Sequence, residues 1–321
     1  MKLWALLLMF FLPVAGRATE PVVGSAARPG EERSSCSSCH DEVKVPEGRT
    51  GCQSCHEIVP PSVLFGDMAV APQPVTRVSQ LPDQHIGESA AKRSDAMMII
   101  PGGSFLMGYD HRHPDEKPQH METVSSFAID LYEVTNNQYL KFIGATKRTA
   151  PEYWGKSQYP KDKDNHPVVY VTWYDARDFC AWAGKRLPTE AEWEKAARSE
   201  DGRLYPWGND FDPKKANTPQ SRLGGTTPVG SFPAGRSPYG LYDVSGNAWE
   251  WTDSWARAYP GSPIPRGHYF TGEYKVLRGG SWIDCSFYRC GISALTFNRG
   301  YFKPETKNEG FGFRCAKDVE G

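Results

Sequence analysis

Large aromatic side chains are nearly absent from a long front stretch of this chain and crowded into the rest. Between the apolar N-terminal run and Phe105 there is a single one, Phe65, with no Trp or Tyr, whereas beyond residue 95 the sequence is dense in Trp, Tyr and Phe. A stretch of about 75 residues so poor in large apolar groups cannot bury enough surface to hold itself together by side chains alone. Residues 20–95 are therefore expected to be disordered or built around something other than side chains. A folded domain is expected beyond them.

The first residues belong to neither part. Met1-Lys2 precedes an apolar run from Leu3 to Val14 and then Ala15-Gly16-Arg17-Ala18. A basic start, a short apolar run and small residues read as a secretory signal over residues 1–18, with cleavage after Gly16 or Ala18. The run is shorter than the ~20 residues a spanning helix needs. The expectation is an exported protein, periplasmic or extracellular, with no transmembrane segment after signal cleavage and with conditions in which disulfides persist. The chain carries 37 Lys+Arg against 38 Asp+Glu, a formal net charge of −1. That balance argues against nucleic acid as a partner and against a polybasic membrane patch.

Cys36-Ser37-Ser38-Cys39-His40 and Cys52-Gln53-Ser54-Cys55-His56 are two copies of the c-type haem attachment pattern. Two thiols three positions apart reach the two vinyl groups of one haem, and the adjacent His (His40 or His56) ligates the iron. Covalent haem would supply the apolar core that this c-type cytochrome segment, residues 19–68, otherwise lacks. Two other readings remain: one zinc site made by Cys36, Cys39, Cys52 and Cys55, or two disulfides. Zinc leaves both His residues unexplained and needs thiolates to survive export. Candidate distal iron ligands are Met68 and His85, with His111, His113 and His120 able to reach back from the next region. The motifs lie 16 residues apart, close enough to hold two haems for fast electron exchange. Residues 69–95, with Ala71-Pro72-Gln73-Pro74, read as a linker.

From residue 96 to 318 the pattern is that of an α+β domain with low regular content, since Gly (31) and Pro (26) are plentiful in the chain. Thr135-Asn136-Asn137-Gln138 is a capping box that opens a helix carrying Tyr139, Leu140, Phe142 and Ile143. Thr172 opens a second helix, with Ala176, Phe179, Cys180 and Ala183 on one face and Gly184 as its stop. Thr189 opens a third, with Trp193, Ala196 and Ala197 inward. Short strands are expected at Val168-Val169-Tyr170-Val171 and Phe311-Gly312-Phe313-Arg314.

Several motifs carry a family likeness: Met98-Ile99-Ile100-Pro101-Gly102-Gly103, Asp130-Leu131-Tyr132-Glu133-Val134-Thr135-Asn136, His166-Pro167-Val168-Val169, Gly184-Lys185-Arg186-Leu187-Pro188-Thr189-Glu190-Ala191-Glu192-Trp193-Glu194, Gly246-Asn247-Ala248-Trp249-Glu250-Trp251, Arg278-Gly279-Gly280-Ser281-Trp282 and Gly312-Phe313-Arg314-Cys315. Together they resemble the formylglycine-generating enzyme (sulfatase-modifying factor) domain. The resemblance implies a C-type-lectin-like fold with much irregular backbone and bound calcium. It implies Ca²⁺ ligands at Asp243, Gly246, Ala248 and Glu250, an all-oxygen set that suits the ion. A second calcium site would begin at Asn217-Thr218, but its downstream Asp is missing. It also implies a disulfide between Cys180 and Cys315.

At the family's catalytic position this sequence departs from the pattern. Active members place a copper(I)-binding Cys three residues after the Gly-Gly-Ser serine, followed by His, with a second Cys five positions beyond the first. Here Asp284 stands third after Ser281, Cys285 and Cys290 keep the five-residue separation shifted by one, and Ser286 replaces the His. Two soft thiolates could bind Cu⁺, form a disulfide or a redox pair, or be inert. The expected function is an exported dihaem redox protein passing electrons between a redox partner protein, or an electron-transfer chain, and a pocket of Ser281, Asp284, Cys285 and Cys290. The alternatives are a non-catalytic lectin-like binding module carrying the haems, and oxidation of a protein cysteine to formylglycine.

Overall fold

The computed structural model describes residues 95–319 apart from 157, 265 and 284–293. The signal sequence, both Cys-x-x-Cys-His motifs, Met68, His85, Asp284, Cys285 and Cys290 lie outside the described residues. No helix among the described residues is long and apolar enough to cross a membrane.

Three α-helices form among the described residues, each opened by the same device. They are α1 (Asn136–Thr146), α2 (Trp173–Trp182) and α3 (Glu190–Arg198). The N-cap threonines Thr135, Thr172 and Thr189 accept the amides of Gln138, Asp175 and Glu192 at 3.3, 3.1 and 3.2 Å. The acceptor side chains of those third residues bond back to the cap amides at 2.8, 3.1 and 2.8 Å. Two otherwise orphaned donors are satisfied at each helix start. Gly184 stops α2 with a left-handed backbone, φ +69°. Ala183 sits at the exposed end of that helix rather than on its buried face.

Among the described residues nine short strands make three sheets. Strands β1 (Met97–Ile100) and β9 (Ala316–Asp318) both pair antiparallel with β4 (Phe127–Asp130), so the two ends of the domain meet in one sheet. Strands β2 (Gly103–Met107) and β3 (His120–Val124) form a two-stranded antiparallel unit. The third sheet has the order β7 (Gly300–Phe302), β6 (Lys275–Arg278), β5 (Trp249–Trp255), β8 (Phe311–Gly312), with β5 and β8 parallel. The strand expected at 168–171 does not form. Thr135 and Pro167 make one isolated bridge, and Tyr170 adopts a left-handed φ of +58°, which breaks an extended run. The strand expected at 311–314 is confined to its first two residues.

Helices α1 and α2 bury Tyr139, Phe142 and Phe179 against Trp251, Leu277 and Phe313 of the third sheet and its flank. Helix α3 turns Trp193, Ala196 and Ala197 toward Ile100, Phe127 and Ile129 of the first sheet. Between α3 and β5 there is no further strand or α-helix, only loops and two short 3₁₀ turns. Close backbone approaches fasten this stretch: a Cβ on Gly246, at φ +83°, would lie 2.2 Å from the Asn217 carbonyl oxygen. Such a position admits only glycine.

Cys180 on α2 and Cys315 just before β9 are joined by a disulfide, with their Cα atoms 5.6 Å apart and a sequence separation of 135. A crosslink closing so long a loop restricts the unfolded chain strongly. The Cys180→Ala, Cys315→Ala double variant is expected to lose about 3–5 kcal/mol of unfolding free energy. Urea titration of the two proteins measures the difference, and a loss below about 1 kcal/mol would show that the crosslink does not brace the fold.

Candidate functional site

Strand β6 ends in Gly279-Gly280, both left-handed at φ +95° and +75°. This turn delivers Ser281 into the interior, where it is fully buried. Its hydroxyl donates to the Ile283 carbonyl at 2.9 Å and accepts the Ile283 amide at 3.2 Å. Gly310 packs on the same hydroxyl, because a Cβ there would stand 2.9 Å from Ser281 Oγ. The Trp282 amide donates to the Asn247 carbonyl at 3.2 Å, and its indole donates to the Glu309 carbonyl at 3.3 Å. Ser281 and Trp282 thus anchor the segment that leads to Asp284, Cys285 and Cys290, which lie outside the described residues.

Trp282 forms one wall of a cavity of about 180 Å³ shared with Asn136, Tyr153, Lys163, Thr226 and Glu309. Its polar groups are wired together. Tyr153 Oη donates to Asn136 Oδ1 at 2.5 Å, and Asn136 Nδ2 donates to the Lys163 carbonyl at 2.7 Å. Behind them lies His166, 7% exposed, with Nδ1 3.0 Å from Thr226 Oγ1 and 3.3 Å from Lys163 Nζ. An ammonium can only donate, so Nδ1 is the acceptor and the imidazole proton sits on Nε2. Burial first, and the Lys163 charge second, push the His166 pKa down to about 4. The ring is therefore neutral at pH 7.

A histidine with a depressed folded pKa contributes stability above its unfolded value near 6.5 and loses it as pH falls toward 4. Unfolding free energy is expected to drop by up to about 2 kcal/mol between pH 6.5 and 4 on account of this one group. His166→Gln removes that part of the slope, and denaturant titrations at several pH values compare the two. An unchanged slope contradicts the assignment.

The calcium ligands implied by the sequence lie on the turn before β5. Asp243 Oδ2 accepts the Gly230 amide at 2.6 Å. Glu250 accepts Trp193 Nε1 and Arg314 Nε at 2.7 Å on one oxygen and Arg314 Nη2 at 2.7 Å on the other. Beside them Glu133 accepts the Ala248 amide at 2.9 Å and Asn247 Nδ2 at 2.6 Å. Three buried carboxylates, Glu133, Asp243 and Glu250, share one buried guanidinium, Arg314. Burial, then the Asp243 and Glu250 charges, raise the Glu133 carboxyl well above the usual range, and burial raises Asp243 to about 6. Arg314 is the cation that pairs with this cluster, and both oxygens of Glu250 are already bonded to donors. Among the described residues no three His, Cys, Asp or Glu side chains form a metal cluster, so an ion here would lean on backbone carbonyls. Near Asn217 the side-chain Oδ1 is buried without a partner among the described residues.

The remaining histidines singled out in the sequence are apart from this site. His111 is exposed and rests edge-on to Tyr109 at 5.4 Å, His113 caps a 3₁₀ turn, and His120 Nδ1 lies 2.8 Å from the Pro118 carbonyl.

Residues 82–319 match the sulfatase-modifying factor enzyme 1-like domain. The chain belongs to this family. It is 35% identical over 276 residues to the inactive C-alpha-formylglycine-generating enzyme 2 of Bos taurus, covering 68% of this chain and 87% of that protein. It is 36% identical over 294 residues to the formylglycine-generating enzyme of Thermomonospora curvata, covering 69% of this chain and 93% of that protein. Among solved structures, PvdO from Pseudomonas aeruginosa superposes with a TM-score of 0.58 at 29% identity, covering 71% of this chain and 96% of that one. Treponema denticola variable protein 1, at 23% identity and a TM-score of 0.57, shares the fold over 69% of this chain and 94% of its own. The domain is thus a formylglycine-generating-enzyme-like member of the mixed α+β, C-type-lectin-like class, with few helices.

Asn136, Tyr153, Lys163, Thr226 and Glu309 were not legible as site residues in the sequence. His166 stood inside a family motif, but nothing in the sequence marked its burial or its lysine neighbour.

Proposed function

We propose that the chain is an exported dihaem c-type redox protein whose formylglycine-generating-enzyme-like domain offers the Trp282 cavity to a substrate or docked redox partner. The observation that carries this reading is the pair of Cys-x-x-Cys-His motifs in a segment too poor in aromatic residues to fold around its own side chains. Cys36 and Cys39, and Cys52 and Cys55, would hold the porphyrins, with His40 and His56 as iron ligands and Met68 or His85 as distal candidates. Bound haem supplies one-electron transfer. In the folded domain Ser281 and Trp282 fix the start of the segment bearing Cys285 and Cys290. The Tyr153–Asn136 pair offers hydrogen bonds without charge at the cavity wall, with the neutral His166 behind it. Asp243, Glu250 and the carbonyls of Gly246 and Ala248 would hold one Ca²⁺, neutralising the buried carboxylates. A reductive titration of protein made with cytochrome maturation is expected to show two reducible haems per chain. A preparation with no reducible chromophore overturns the redox reading.

The second reading is a binding module without chemistry of its own. Asp284 in the place of the first reactive Cys favours it, as does the similarity to a relative described as inactive. Oxidation of a protein cysteine to formylglycine is the third. Copper content separates them: one Cu⁺ per chain that disappears in the Cys285→Ser, Cys290→Ser double variant supports an oxidative pocket. A Cys285–Cys290 disulfide without copper supports the binding module.

A further inference from the structure

A second cavity, of about 380 Å³, lies away from Trp282, between the end of α1 and the start of α2. Its size is within the range of small-molecule sites. The chemistry-bearing residues of its walls are Tyr139, Lys147, Arg148, Tyr170, Asp175 and Lys307.

Tyr139 is only 1% exposed, and its ring is packed among Phe142, Phe179 and Phe313 at centroid distances of 5.3, 5.8 and 6.5 Å. Its hydroxyl makes no hydrogen bond among the described residues. Burial, and after it the Asp175 charge, raise the phenol well above the usual tyrosine range, while Arg148 opposes them. Tyr139 lines the cavity beside Arg148 and Asp175, and its phenol stays protonated.

Of the charged groups on the wall, three are cations, Lys147, Arg148 and Lys307. The single wall carboxylate, Asp175, already accepts the Thr172 amide and hydroxyl at 3.1 and 2.6 Å and faces Arg148 at 3.5 Å. Arg148 is also bonded to Asp178, and Lys307 lies 3.1 Å from Glu152, both of which stand outside the wall. Lys147 has no ion pair among the described residues. Its backbone is left-handed at φ +60°, ending α1 at the cavity mouth. Tyr170, also left-handed, is held with its ring 5.4 Å from that of Tyr153, giving the cavity a flat apolar side. A non-glycine residue in this conformation carries strain that the fold retains at ligand sites more often than elsewhere.

We propose that this cavity is a binding site for a small organic molecule bearing an oxyanion, a carboxylate or a phosphate. The Tyr139 hydroxyl and the ammonium groups of Lys147 and Lys307 hold the oxyanion, and Tyr170 flanks the ligand body. The site does not depend on the haem reading and would stand without it.

Isothermal titration of the full-length, haem-loaded protein with inorganic phosphate and, separately, with 4-hydroxybenzoate tests it. Saturable binding of at least one probe at one site per chain is expected. Binding by both probes assigns affinity to the oxyanion, and binding by 4-hydroxybenzoate alone adds the ring wall. The Lys147→Ala, Lys307→Ala double variant, whose changes are exposed, is expected to weaken binding at least tenfold. Tyr139→Phe keeps the packed ring and removes one charge-assisted hydrogen bond, for about a tenfold loss. No saturable binding of either probe at millimolar concentration, or binding unchanged in both variants, overturns the proposal.

Discussion

Arg314→Met is expected to cost about 3–5 kcal/mol of stability, a large part of what a domain of this size has. The guanidinium is fully buried and makes two bonds to Glu250, and it also donates to the carbonyls of Asp130, Leu131 and Tyr242 at 3.1, 3.3 and 2.8 Å. One side chain thereby ties the end of β4, the 242 turn and β5. Methionine fills much of the space but leaves Glu250 with Trp193 Nε1 as its remaining donor, inside the cluster that also holds Glu133 and Asp243. Removing one partner of a buried pair leaves the other charge uncompensated. Urea unfolding of the variant against the parent measures the loss. A difference under about 1 kcal/mol would mean that the carboxylates are neutralised by something other than Arg314.

The second large effect is expected at Glu194, on the far side of α3. Its carboxylate is fully buried and accepts the Gly108 amide and Arg198 Nη1, both at 2.8 Å, and Arg278 Nη2. Arg278 also reaches Glu190 at 3.1 Å, and Arg299 holds the same Glu190 oxygen at 2.7 Å. Burial alone would raise the Glu194 carboxyl, but Arg278 and Arg198 outweigh it and hold it below its usual range. Glu194→Gln keeps the shape and removes the charge, leaving three buried arginines against Glu190. A loss of about 3 kcal/mol is expected at pH 7. The sign with pH is fixed: a depressed carboxyl contributes stability above its unfolded pKa and loses it as pH falls through the folded value. The parent should therefore converge on the variant in acid. A gap that widens as pH falls would contradict the assignment.

Much of the domain was legible because its signals are local. Thr135, Thr172 and Thr189 announce their helices through residues three positions on, and Trp193, Ala196 and Ala197 mark the buried face of α3 by their spacing. The misreading at 168–171 has a physical cause: β-branched composition suggests a strand, but Tyr170 turns left-handed where its ring meets Tyr153, a contact distant in sequence. The cavity beside Trp282 was hidden for a similar reason. Asn136 opens α1 while Tyr153, Lys163 and Thr226 come from loops, and no periodicity links them. Glu190, Glu194 and Arg278 stand in family motifs, but nothing in the sequence marks them as buried with each carboxylate opposite a guanidinium.

The central claim concerns the front of the chain, and the intact mass of protein secreted by a host equipped for cytochrome maturation addresses it most directly. Two haem masses on the signal-cleaved polypeptide, both lost when Cys36, Cys39, Cys52 and Cys55 are changed to Ala, are the expected result. A bare polypeptide mass without Soret absorption, or one accompanied by stoichiometric zinc, would contradict it.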